Sequence, residues 1–346
     1  MKLYQAIKLI SLSPILSTTA YAADPTLQDV DFYGSVRVGV DNIDAGTSDD
    51  GANGRDFLSR VGVKASMKLD EGITVVGQIE YGLREENSVD LTQKKGPTLR
   101  IASVGIKGSL GELYYGSQTL IWNTFVRTAY FSDGIDTVRL GEVRDDDLLQ
   151  YFYRHNNWTF AAGTQLKGQD GDSIDQWQMG GEYKSGPVKL QAAWSKDNSG
   201  DNKGNLYGVR AWWTISEAIT LSAFIHKQTD DYDLYGGSTG TVRLRDSSIE
   251  GNKNAINNCN TEERTNSGIY ASYTFGNNEV QGRYAVDSCD VSGDVDSIKV
   301  EYIRHFGKAF RAWVAYEDLN NDQGRKPTTS SRQDMSQLQA GVRYDF

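Results

Sequence analysis

The last ten residues, Gln337 to Phe346, alternate between apolar and polar without a break. Leu338, Ala340, Val342, Tyr344 and Phe346 share one face, and Gln337, Gln339, Gly341, Arg343 and Asp345 share the other. Successive side chains of a strand point to opposite sides, so this segment reads as a strand with one apolar and one wet side. A soluble protein has little reason to end on an exposed strand tipped with Phe. The ending therefore constrains the chain toward a barrel that turns its apolar side to lipid.

The opposite end carries an export signal. Lys2 and Lys8 make a short basic region, followed by the apolar stretch Leu9–Leu16 and then Ala20-Tyr21-Ala22. That is the layout of a secretory leader with a small-x-small cleavage site. Cleavage is expected after Ala22, dividing the chain into a leader, 1–22, and one barrel domain, 23–346. The leader's apolar stretch is too short to cross a bilayer, and no other segment approaches the ~18 apolar residues a spanning helix needs.

At 38% hydrophobic residues the chain is too polar for a membrane protein built of helices. A barrel resolves this, because only the outward half of each strand must be apolar. Gly is abundant at 36 residues and Pro scarce at 5, which suits ladders that bend but do not break. The formal charge of −10 becomes about −12 once Lys2 and Lys8 leave with the leader. Nucleic acid, which calls for basic patches, is excluded as a partner, and cations are mildly favoured over anions at the surface. Cys259 and Cys289 of an exported chain are expected to form one disulfide.

Period-2 segments bounded by turn residues run over 31–40, 56–69, 72–83, 99–108, 111–117, 146–154, 157–166, 174–184, 187–196, 204–214, 217–228, 266–275, 278–287, 296–305, 308–318 and 334–346. Their number, about sixteen, is even, as single-chain bacterial barrels require. Connections alternate between short (Asp70-Glu71, Ser185-Gly186, Gly276-Asn277) and long (84–98, 118–145, 229–265), the pattern of periplasmic turns and external loops. In the first strand Phe32, Gly34, Val36, Val38 and Val40 are expected to face outward and Asp31, Tyr33, Ser35 and Arg37 inward. The second and third strands place Arg60, Lys64, Gln78 and Glu80 inside. In the fourth, Arg100 should face inward, yet Val104 and Ile106 share its parity. A charged lining at this strand number implies a water-filled channel.

These features resemble the trimeric, sixteen-stranded general diffusion porins of Gram-negative bacteria. The residues that carry the resemblance are Asp31-Phe-Tyr-Gly-Ser-Val-Arg-Val-Gly-Val40, Val104-Gly-Ile-Lys-Gly-Ser-Leu-Gly-Glu-Leu-Tyr-Tyr-Gly116 and the closing strand. It implies an all-β transmembrane antiparallel barrel in the outer membrane whose third external loop, roughly 118–145, folds into the lumen. Asp133, Asp136 and Glu142 of that loop would then face Arg37, Arg60, Lys64, Arg84 and Arg100 across a constriction. The chain departs from the family at Ser117, where an arginine often follows the glycine, and in lacking the loop's proline-tyrosine-aspartate step. The resemblance further implies a homotrimer embedded in outer-membrane lipid and lipopolysaccharide. It also implies that Gly341, Tyr344 and Phe346 form the signal read by the barrel-assembly machinery.

Other motifs carry less. Gly236-Gly-Ser-Thr-Gly240 matches a nucleophile elbow but lacks the strand-to-helix setting that gives it meaning. His155, His226 and His305 are widely separated and read as rim residues rather than metal ligands. Asp197-Asn-Ser-Gly-Asp201 and the acidic first loop, with Asp41, Asp44, Asp49 and Asp50, could hold a divalent cation but read better as solvated loops. No cofactor, metal or acid–base constellation is expected, so the chain is read as a channel and not an enzyme. The function expected is passive diffusion of ions and small hydrophilic solutes with a mild cation preference. A substrate-selective sugar porin is the alternative, with Trp212 as a candidate lumen aromatic.

Overall fold

The computed structural model describes residues 26–44, 51–69, 72–83, 97–127, 130–131, 133, 140–166, 174–198, 204–229, 263–290, 293–320 and 335–346. Within them lie seventeen strands: β1 (Thr26–Asp44), β2 (Gly51–Asp56), β3 (Arg60–Lys68), β4 (Thr74–Gly82), β5 (Thr98–Gly108), β6 (Gly111–Thr119), β7 (Arg144–His155), β8 (Trp158–Gln165), β9 (Gln176–Ser185), β10 (Val188–Asp197), β11 (Asn205–Thr214), β12 (Ile219–Gln228), β13 (Arg264–Phe275), β14 (Asn278–Cys289), β15 (Gly293–His305), β16 (Phe310–Asn320) and β17 (Met335–Asp345). From β3 onward each strand pairs antiparallel with its successor, and β1 pairs with β17, closing the sheet on itself.

Seventeen segments make a sixteen-stranded wall because β2 and β3 are one spanning strand with an interruption. Both pair with β1, but Val38 faces Asp56 while Ser35 faces Arg60, so three residues of one arm oppose two of the other. The extra residue is absorbed as a bulge, with Leu58 at φ +71° and the Phe57 amide still donating to the Arg37 carbonyl at 2.8 Å. On the other side of the wall β7–β8 and β9–β10 turn within two residues, opened by Asn156 (φ +50°) and Gly186 (φ +53°).

Faces follow the alternation. Phe32, Val36 and Val40 are exposed on the outside of β1, while Ser35, Arg37 and Asp41 are buried within. Exposed apolar side chains continue around the ring through Ile79, Val104, Leu190, Val209, Ile269, Val300 and Leu338. A charge on this face near mid-membrane would cost about 2–4 kcal/mol, which is why Arg and Glu sit on the other.

The parity conflict around Arg100 has a structural cause. Glu80 pairs with Ile101 and Tyr81 with Leu99, so Arg100 is an extra residue at a bulge. The bulge lets Arg100 turn inward, 9% exposed, while Leu99 and Val104 both face out at 47% and 53%.

The closing seam brings Gly39 opposite Gly341, where a Cβ on Gly39 would collide with the Ala340 carbonyl. Phe346 ends the chain with its amide and carbonyl bonded to Gly34 at 3.1 and 2.9 Å. Tyr344 and Phe346 stack at 6.1 Å on the outer face. Two expectations change here, for Asp41 and His226. Asp41 is not a loop residue but an inner-wall partner of Arg55. His226 is not at a rim; it is buried on the inner wall beside Trp122 and Phe224. Trp313 faces inward against Phe57, 4.7 Å away, whereas Trp158, Trp177 and Trp213 lie exposed outside. The leader, 1–22, and the Gly236–Gly240 motif fall outside the described residues.

Candidate functional site

The segment between β6 and β7 is attached to the inner wall by an apolar cluster. Leu120, Ile121, Trp122, Phe125, Val126 and Leu140 are at most 2% exposed and pack with Leu148, Ala161, Ala193 and Leu206 of the strands. The Trp122 indole donates to the Leu140 carbonyl at 2.8 Å, and the Trp122 amide to Oε1 of Gln178 at 3.2 Å. The wall is hollowed to receive it: a Cβ on Gly208 would stand 2.7 Å from the Trp122 ring, and one on Gly180 would strike Phe125. Burying side chains of this size stabilises the attachment by roughly 1.5–3 kcal/mol each.

Further along, Tyr130 stacks on Tyr270 at 4.3 Å, shares a 2.9 Å hydrogen bond with Ser222 and lies under the Arg210 guanidinium at 3.9 Å. Phe131 meets Tyr270 edge-on, with the Lys299 ammonium 4.5 Å from its ring. Asp133, buried, then accepts from Arg311 at 2.7 Å and Arg343 at 3.1 Å. All these strand partners have inner parity. The described part of the segment thus runs along the inside of the wall from β9–β11 to β16–β17.

The adjoining sector of the wall, β1 and β3–β5, carries a second charged group. Glu80 accepts from Arg100 at 2.8 Å and from the Tyr33 hydroxyl at 3.1 Å, and lies 3.9 Å from Arg60. Arg37 joins the two groups, within electrostatic reach of Arg60, Arg343, Asp133 and Asp345. Five arginines (37, 60, 100, 311 and 343) therefore share one belt with Glu80, Asp133 and Asp345.

Among the residues expected at a constriction, Arg37, Arg60, Arg100 and Asp133 come together in this belt, although Asp133 bonds Arg311 and Arg343 and the bases of β3 and β5 turn to Glu80. Lys64 lies apart, over the Tyr33 ring at 4.8 Å. Glu142 is half-buried on the returning limb of the segment. Arg84, Asp136 and Cys259 fall outside the described residues; Cys289 is buried at the end of β14 and is not a free thiol. Sequence reasoning missed Arg311 as a site residue. Its parity with Glu317 on β16 was the available signal.

A family model described as Gram-negative porin matches residues 9–172 and 149–243. The chain belongs to that family. It is an outer-membrane channel for passive diffusion and not an enzyme. The gonococcal major outer membrane protein P.IB (Neisseria gonorrhoeae) is 24% identical over 93% of this chain and 96% of its own length. A monosaccharide porin of Halomonas sp is 25% identical over 64% of this chain and 69% of its own. Among solved structures, Salmonella typhi OmpF in complex with daunomycin superposes with a TM-score of 0.68 at 19% identity, covering 93% of this chain and all of that one.

Proposed function

We propose that the segment 120–143 forms the constriction of a general diffusion pore for ions and small hydrophilic solutes, and that the arginine belt with Asp133 is its charged ring. The observation that carries this is the double ion pair from Asp133 to Arg311 and Arg343, which ties the segment to the wall opposite its own root. Charged groups lining a narrow aqueous passage favour polar solutes and disfavour apolar ones. The acidic exterior enriches cations at the mouth, while the belt's excess of arginines works against them. The cation preference is accordingly mild and shrinks with salt. The channel acts as a homotrimer, with lipid and lipopolysaccharide around it and the barrel-assembly machinery reading Gly341, Tyr344 and Phe346.

A selective sugar channel is the second reading, favoured by half-buried Trp212 beside Tyr130 at 5.2 Å. It ranks lower because Arg210 and Lys189 both sit over the Trp212 ring, at 4.2 and 5.0 Å, where a sugar would need to stack. Single-channel recording of the purified trimer separates the two. Open-channel conductance that scales with salt and shows no saturable block by mono- or oligosaccharides supports general diffusion; saturable block by sugar overturns it.

A further inference from the structure

A cavity of about 340 Å³ opens on the inner wall, lined by Asp29 and Asp31 of β1, Lys64 and Ser66 of β3, Gln78 of β4 and Tyr114 of β6, among others. It lies beyond the charged belt, toward the short β3–β4 turn and hence the periplasmic side. Its volume falls at the lower end of the ~300–1,000 Å³ of small-molecule sites.

The register sets out its chemistry in rows. Asp31 faces Lys64, Lys64 faces Gln78 and Gln78 faces Ser103; one step down, Asp29 faces Ser66. Adjacent strands are ~4.8 Å apart, so the long side chains of β1, β3 and β4 reach one small solute, while Ser103 lies at the far edge. Asp31 and Lys64 stand directly opposite, yet they form no ion pair. The Lys64 ammonium lies over the Tyr33 ring at 4.8 Å, and Tyr33 is fixed there by Gln78 at 2.6 Å and Glu80 at 3.1 Å. Among the described residues neither the Asp29 nor the Asp31 carboxylate has an ion-pair or hydrogen-bond partner. A fourth charge, Lys107, also lines the cavity, held 3.9 Å from Glu112.

We propose that this cavity is a transient binding site for a small zwitterion of amino-acid type. The solute's ammonium goes to Asp29 and Asp31, its carboxylate to Lys64, and Ser66 and Gln78 supply neutral hydrogen bonds. Lys107 is engaged by Glu112, so the solute meets Asp29 and Asp31 on one side and Lys64 on the other. A simple cation meets Lys64, and a simple anion meets Asp29 and Asp31; only a solute bearing both charges satisfies both sides. The proposal rests on the channel reading and names a solute class that the pore would favour.

The test uses purified trimers in planar bilayers, with L-alanine, ethylamine or propionate added on the periplasmic side and solute-induced current noise as the readout. Alanine should saturate, with the two single-charge analogues at least about tenfold weaker. Asp29→Asn with Asp31→Asn should raise the half-saturating alanine concentration about tenfold, and Lys64→Gln alone should do the same, with open-channel conductance changed less than twofold. Equal action of ethylamine and alanine, or an alanine response that either variant leaves unchanged, overturns the proposal. Absence of any open-channel conductance in the unaltered protein would instead overturn the channel reading itself.

Discussion

Replacing Asp133 with Asn tests whether the belt's charges control the ions that pass. Asp133 is buried and holds Arg311 and Arg343 at 2.7 and 3.1 Å. The belt counts five arginines against Glu80, Asp133 and Asp345, a difference of 5 − 3 = +2, and the substitution makes it 5 − 2 = +3. An ion passing about 8 Å away through water feels one unit charge as roughly 0.5 kcal/mol. A cation loses that much and an anion gains it, so the permeability ratio should move toward anions by about five-fold at low salt. At 0.1 M, with a Debye length of about 10 Å, the same shift falls to about two-fold. Reversal potentials across a salt gradient measure this directly. A ratio that stays within experimental error at 0.01 M salt, in a variant that still inserts and conducts, would refute the reasoning and mean that ions do not pass close to this belt.

Three further outcomes are expected. Trp122→Ala removes a ring 1% exposed and a 2.8 Å hydrogen bond, a change of about 3–5 kcal/mol in a packed site, so the segment should loosen and single-channel current noise should rise while the barrel remains resistant to denaturant. Cys259 and Cys289 should be joined, stabilising the long connection after β12 by about 2–4 kcal/mol; alkylation of both thiols in the denatured, unreduced protein would exclude the bond. Cysteine cross-linking from Val36 or Val63 should join subunits, because the exposed tryptophans Trp158, Trp177 and Trp213 all lie beyond β7 and leave the early strands for packing; labelling of these sites by lipid-phase probes in the intact trimer would contradict that interface.

The wall was legible because its rule is local. A strand alternates over neighbouring residues, and an outward charge is costly at every position, so Phe32, Val36 and Leu338 could be assigned without knowledge of their neighbours. The rule failed where one residue was added. At Arg100 parity alone could not decide, since Val104 and Ile106 have the same even spacing and point the other way. Charge and hydropathy demanded opposite faces, and that contradiction was itself the trace of the bulge. The interruption at Leu58 left a weaker trace: apolar Leu58 shares the parity of Arg60 and Lys64, and Phe57, in step with outward Val61, is buried inside.

The belt is a different problem, because its partners are set by closure of the whole ring. Asp133 meets Arg311 and Arg343 across 178 and 210 residues, and no local period relates them. The acidic residue could be expected to face bases, but which bases depends on where the segment points after leaving its root at Trp122. That direction is fixed by Gly208 and Gly180, whose missing side chains open the wall to Trp122 and Phe125, and by Tyr130 settling on Tyr270. Each of these contacts steers the segment away from β3 and toward β16. With Asp133 engaged there, Glu80 is left as the acid nearest Arg60 and Arg100, and the two halves of the belt meet at Arg37. The pore's charge pattern therefore follows from the packing of apolar side chains several strands away, and a substitution at Gly208 should alter selectivity without touching a charged residue.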